Sequence, residues 1–385
     1  MEAAKRISTI QEYYFSRKLK EVTRMRAEGI DVLSLAIGSP DLPPSQETVD
    51  TLCRVAHEPT AHGYQPYSGI PELLNAMAKY YRRFFKVELD PKTEILPLLG
   101  SKEGILHVTL ALVNPGDSVL VPDPGYPTYT SLSTLLGVNV VKYDLKYEND
   151  WYPDFEQMEK LILENRPKII WTNYPHMPTG TPARREVYEK LVALAKKYDL
   201  VVVNDNPYSL ILNHDYQSIL QVPGAKDNCI EFNSMSKSHN MPGWRVGILA
   251  GKKEFVQWVL KVKTNIDSSC FRGIQLAAAT AFENSDAWHE ANNVEIYRRR
   301  RAIAEKIMTA LNCTFDEKQV GMFLWGRIPD DVANVEDLTE RVLHEAHVFI
   351  TPGFIFGENG KRFLRISLCA NEETMQEALE RIQKM

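Results

Sequence analysis

The chain has 385 residues, 44% of them apolar and 25% charged, which is enough for two domains around a large core and excludes wholesale disorder. Its net charge of −5 argues against a nucleic-acid binder, and no apolar run approaches membrane-spanning length. The five cysteines (Cys53, Cys229, Cys270, Cys313, Cys369) are dispersed, with no C-x-x-C pair or histidine cluster to suggest a metal, which fits a cytoplasmic, reducing compartment.

At the N-terminus, acid and base fall within the first six residues and no apolar stretch follows, so no signal peptide is expected. Pro71 opens a helical pattern in which Leu73, Leu74, Met77, Ala78, Tyr81, Phe84 and Phe85 share one face. Ser118 to Val121, Asn139 to Tyr143 and Ile169 to Trp171 read as strands, and Arg184 to Tyr198 reads as a helix. Val201 to Val203, Ile230 to Phe232 and Val246 to Leu249 continue the set of strands. This alternation predicts an α/β fold, with a mostly parallel central sheet and helices on both faces.

After Phe282 the pattern changes. A long charged helix, Asp286 to Leu311, carries the run Arg298-Arg299-Arg300-Arg301, which reads as a solvated face. Gly321 to Trp325, a helix from about Val335 to His347, and Phe363 to Leu368 then suggest a smaller α+β domain. No internal repeat or low-complexity linker appears.

Two segments carry chemistry. Ser234-Met235-Ser236-Lys237 places an amine among hydroxyls, and Arg245 follows eight residues later. A lysine whose neutral amine is accessible can form a Schiff base with an aldehyde. Ser234, Ser236 and Arg245 can meet a phosphate dianion, the arginine through two parallel hydrogen bonds. Leu200 to Val203 is a buried-strand pattern that ends in Asp205, with Tyr208 just beyond. Polar groups past the C-terminal ends of strands face the ligand crevice of open α/β sheets. A pyridinium ligand needs an anion such as Asp205 at its ring nitrogen, and Tyr208 can donate to its ring hydroxyl.

With these motifs the chain resembles the class I/II aminotransferases of the pyridoxal-phosphate fold-type I superfamily over nearly its whole length. The resemblance is nearest to the aspartate, alanine and diaminopimelate branch. It implies pyridoxal 5′-phosphate as cofactor, Lys237 as the Schiff-base lysine, Asp205 at the pyridine nitrogen and Tyr208 at the ring oxygen. Gly100, Ser101 and Lys102 of Leu98-Leu99-Gly100-Ser101-Lys102-Glu103-Gly104 resemble the family's phosphate turn, joined by Ser234, Ser236 and Arg245. Tyr126 resembles the ring that stacks on the pyridine. Tyr64 resembles the residue that reaches the neighbouring subunit's phosphate, which implies a homodimer. Gly38 and Arg365 resemble the seat of the substrate α-carboxylate. The family also implies that an N-terminal segment (1–45) completes the small C-terminal domain (284–385), leaving 46–283 as the cofactor-binding domain.

One position departs from the family. Met177, in Asn173-Tyr174-Pro175-His176-Met177-Pro178-Thr179-Gly180, replaces an asparagine that donates to the cofactor's ring oxygen. Methionine cannot donate, so that bond is absent or is supplied by His176 or Asn173. The implied reaction is a ping-pong transfer of an amino group from an L-amino acid to a 2-oxo acid. The same scaffold also supports C–S lyases, decarboxylases and non-catalytic cofactor-binding regulators. Arg272 can read a distal carboxylate, although a helix-surface ion pair is its expected role. The amino acid itself is left open.

Overall fold

The computed structural model describes residues 2–9 and 14–385. A two-residue strand, β1 (Leu33–Ser34), comes first. The main sheet follows: β2 (Ile95–Leu98), β3 (Ser118–Asp123), β4 (Asn139–Asp144), β5 (Ile169–Thr172), β6 (Val201–Asp205), β7 (Cys229–Ser234) and β8 (Gly247–Gly251). Their order across the sheet is β2-β8-β7-β6-β5-β3-β4. Only β8 runs against its neighbours.

Both faces of this sheet are covered, and the period-2 alternation of side chains decides which residue goes where. Val119, Val121, Ile169, Trp171, Val203, Ile230 and Phe232 face one way, onto Ile105 and Val108 of the Ser101–Leu112 helix. Leu120, Ile170, Val202 and Cys229 face the other way, toward Tyr188 and Leu191 of the Arg185–Tyr198 helix. The expected strands are therefore present. The sequence reading lacked β2, a four-residue strand containing Pro97.

The C-terminal part holds a second sheet. Its strands are β9 (Thr314–Phe315), β10 (Phe323–Arg327), β12 (Thr351–Pro352) and β13 (Phe363–Ser367), in the antiparallel order β12-β13-β10-β9. Between them β11 (Val348–Phe349) pairs in parallel with β1, so N-terminal residues dock on the C-terminal region. Among the described residues no helix is long and apolar enough to cross a membrane.

The arginine run corrects the sequence reading. Successive helical residues are rotated by about 100°, so four in a row cannot all face solvent on a packed helix. Arg298 pairs with Glu295 and Glu290, and Arg299 with Glu372. Arg300 is 3% exposed and grips Asp41, while Arg301 donates to the carbonyls of Glu317 and Gln319. Arg272 behaves as expected and pairs with Glu72 at 3.0 Å.

Candidate active site

A cavity of about 1150 Å³ opens beyond the C-terminal ends of β6 and β7, and β13 closes one side of it. It is lined by Gly38, Ser101, Lys102, Tyr126, Asn173, Asp205, Tyr208, Ser234, Ser236, Lys237, Arg245 and Arg365. Gly100 adjoins it as the cap of the Ser101–Leu112 helix. Tyr64 is 94% exposed and lies outside this lining.

The amine and the carboxylate enter from adjacent strands. Ser234 ends β7 and its hydroxyl accepts the Ser236 amide at 3.2 Å, which starts the short helix that carries Lys237. Lys237 Nζ donates to Gly38 O. Burial holds its pKa below the ordinary lysine value, and the Arg365 and Arg245 charges act in the same direction. Asp205 ends β6 at 5% exposure. Its Oδ2 accepts from Tyr129 OH at 3.0 Å, and its Oδ1 finds no partner among the described residues. Burial raises its pKa to about 6, against the pull of the Tyr129 hydrogen bond and the Lys237 charge.

Tyr126 and Tyr129 stand three residues apart at the start of the Pro127–Leu135 helix, with ring centroids 5.6 Å apart. Tyr129 lies flat on Trp171, which fixes the hydroxyl that reaches Asp205. Tyr208 is buried edge-on to Phe323. Arg365 lies over the rings of Phe323 and Phe356 and donates to Ala36 O at 2.8 Å.

The Met177 departure has a clear local structure. Met177 Sδ accepts from Arg365 Nη1 at 3.4 Å. Its own amide donates to Asn173 Oδ1 at 2.8 Å, and Asn173 Nδ2 donates to Asp205 O. His176 does not line the cavity. It is buried with Nδ1 on Thr179 Oγ1 at 2.8 Å, and burial pushes its pKa down to about 3. Of the two substitutes for the missing donor, only Asn173 faces the ligand space.

These residues fit a phosphorylated pyridine aldehyde. The free Asp205 Oδ1 is a buried acceptor in want of a cationic donor. Lys237 is a half-buried amine with a lowered pKa. Gly100 has φ +84°, and an added Cβ there would strike the Arg245 guanidinium. Backbone amides, two serines and an arginine can then meet one phosphate at a helix N-terminus.

The aminotransferase class I and II family model matches residues 30–382. The chain belongs to this family. It is a pyridoxal-phosphate-dependent aminotransferase of fold type I. The aminotransferase is 39% identical to the LL-diaminopimelate aminotransferase of Oleidesulfovibrio alaskensis over 98% of each chain. It is 38% identical to that of Aquifex aeolicus over 100% of this chain and 99% of the other. Substrate-bound BacF from Bacillus subtilis superposes with a TM-score of 0.94 at 31% identity, covering 100% of this aminotransferase and 98% of BacF.

Sequence reasoning missed three features of the site. Tyr129 could have been read from its three-residue spacing to Tyr126. Phe15, Ser16, Leu19, Lys20 and Thr23 of the Tyr14–Ala27 helix also line the cavity, and their only signal is amphipathic spacing. Lys263 had no signal at all. It is 2% exposed and sends its ammonium to Asp267 at 2.7 Å and to Glu103 at 3.4 Å. Glu103, His107 and Asp267 converge there with the spacing of metal ligands, but Lys263 supplies the cation.

Proposed function

We propose that this cavity moves an amino group between LL-diaminopimelate and a 2-oxo acid, with Lys237 carrying the cofactor and shuttling the proton. The carrying observation is the Lys237 amine on Gly38 O, carried just past the end of β7, beside β6, which ends in the partnerless Asp205 oxygen. Pyridoxal 5′-phosphate, when bound, supplies a conjugated ring that takes up the electron pair left on the substrate α-carbon.

The chain's residues divide the remaining tasks. The Gly100 and Ser101 amides, Lys102, Ser234, Ser236 and Arg245 would hold the phosphate. Asp205 Oδ1 would accept from the ring nitrogen and keep it protonated. Tyr126 would stack on the ring, and Tyr208 and Asn173 would border its oxygen. Lys237, with its pKa lowered by burial, can take the proton from the substrate α-carbon as a neutral amine and hold it for return. Arg365 and Gly38 seat the α-carboxylate. Met177 Sδ is only a weak acceptor for Arg365, so a carboxylate displaces it readily.

The substrate choice rests on the names of relatives that match this chain end to end at 36–39% identity. Lys20, Ser16 and Thr23 add polar groups to the lining of the same cavity. We also assign residues 1–45 and 284–385 to a small domain and 46–283 to a large one, on the strength of the two sheets and the β1–β11 pairing. The exposed Tyr64 supports a homodimer in which it completes the partner subunit's phosphate site. The cytoplasmic assignment rests on the five free cysteines.

Loss of the cofactor absorption band on mixing the holoenzyme with a panel of L-amino acids tests the substrate reading. LL-diaminopimelate should react fastest. A much faster reaction with L-aspartate or L-alanine overturns the choice.

A further inference from the structure

The cavity wall that contains Gly38 is a turn held at both ends. On its N-terminal side it is sewn to β13. Ser367 N donates to Leu35 O, Arg365 Nη2 to Ala36 O and Ser367 Oγ to Ile37 O, each at 2.8 Å. On its C-terminal side, Asp41 takes both ends of the Arg300 guanidinium, at 2.7 and 2.9 Å. The same guanidinium donates to Leu368 O at 3.2 Å, just past the end of β13. Arg300 is 3% exposed on the Ile296–Ala310 helix, whereas the Asp41 side chain is 32% exposed.

One buried cation thus ties the far end of the turn to the strand that carries Arg365. Between the two anchors lie Gly38, Ser39 and Pro40. Gly38 leaves no room for a Cβ against the Phe323 ring, and its carbonyl takes the Lys237 amine. A turn anchored on one side only can slide across that ring. Sliding would also pull Ala36 O away from Arg365.

We propose that Arg300 and Asp41 are positioning residues for the substrate α-carboxylate. Their bidentate pair holds the Gly38 turn in register with Arg365, although neither residue lines the cavity. The inference rests on the reading of Gly38 and Arg365 as the carboxylate seat. It gives the buried arginine of the basic run a task beyond packing its helix. A purely structural pair would affect every substrate alike. A positioning pair should affect substrates that carry an α-carboxylate and spare those that do not.

The test compares holoenzyme variants Asp41→Asn, Arg300→Lys, the double variant Asp41→Asn/Arg300→Met, and Arg365→Ala. Each is reacted in single turnover with LL-diaminopimelate, L-glutamate or L-alanine, whichever reacts fastest with the wild type. The paired probe lacks the carboxylate on the reacting carbon: 1,5-diaminopentane for diaminopimelate, which loses both of its α-carboxylates, 4-aminobutanoate for glutamate or ethylamine for alanine. A misplacement of about 1 Å at a reacting group can cost on the order of a hundredfold. Asp41→Asn should therefore slow the amino acid by about ten- to a hundredfold, mostly through weaker binding, and change the amine by less than about threefold.

Thermal melting of the same proteins separates position from stability. Asp41→Asn strands a buried guanidinium, and the double variant removes it. The double variant should recover melting temperature yet keep the single variant's kinetic defect. If Asp41→Asn does not fold, Arg300→Lys and the double variant carry the comparison. Equal slowing of amino acid and amine, or kinetic recovery together with stability, overturns the proposal. If Arg365→Ala also slows both probes equally, the carboxylate seat itself is misread. If Arg365→Ala discriminates and the Arg300 and Asp41 variants do not, only the positioning role falls.

Discussion

Asp205 concentrates the electrostatics of the site in one side chain. Its pKa is raised from 3.8 to about 6 by burial, so its ionised form burdens the cofactor-free fold. The sign follows from linkage. Below 3.8 both folded and unfolded forms bind the proton and no penalty exists; as pH rises through 6 the folded state must give it up. The penalty is then about 3 kcal/mol, at about 1.4 kcal/mol for each pH unit between the two values. Cofactor-free Asp205→Asn should therefore melt higher than cofactor-free wild type at pH 8, with a smaller gap at pH 5. Paired melting curves at the two pH values check this, and a gap that widens on acidification contradicts it. The residues that carry this chemistry were legible where they are close in sequence. Lys237 sits within three residues of three serines, and Asp205 ends its own apolar strand. Tyr129 and Met177 were not legible as partners, because their contacts to Asp205 and Arg365 cross 76 and 188 residues. Tertiary packing alone creates such pairs.

Among the elements, the Ser101–Leu112 helix is the one whose start matters most. Gly100 precedes it at φ 84° and ψ 154°, a region that essentially only glycine enters. Glu103 reaches back to accept the Leu99 amide at 2.6 Å, and Lys263 holds Glu103 from beneath. Gly100→Ala should cost about 1–3 kcal/mol of backbone strain. It should also push Arg245 out of the phosphate seat, so cofactor affinity should fall along with melting temperature. Equilibrium dialysis of pyridoxal 5′-phosphate checks this; unchanged affinity would mean that the turn does not hold the phosphate. The apolar runs that became β3, β5, β6 and β7 were plain in the sequence because both faces of a parallel sheet are buried. β2 was hidden by its brevity and by Pro97, and the reversed direction of β8 leaves no trace in a local pattern. The arginine run misled for a related reason. Composition shows four charges, but only the packing of the helix shows that the third points inward against Asp41.

At the scale of the molecule, a half-site on each of two subunits is the main expectation. Tyr64 and Lys237 would serve different sites if the enzyme is a dimer of this kind. Tyr64→Ala and Lys237→Ala chains, each impaired alone, should complement when unfolded and refolded together. Random pairing makes half the dimers hybrid, each with one intact site, so about a quarter of wild-type activity should return under two-fold symmetry. No recovery on mixing would place both residues in one subunit's site. The central claim remains that Lys237 is the amine that carries the cofactor, and the most direct measurement fixes that bond chemically. The holoenzyme is reduced with borohydride, digested, and its peptides are mapped by mass spectrometry. The expected result is a single pyridoxyl group on Lys237. A pyridoxyl group on Lys102 or another lysine instead, or on none, would contradict the account.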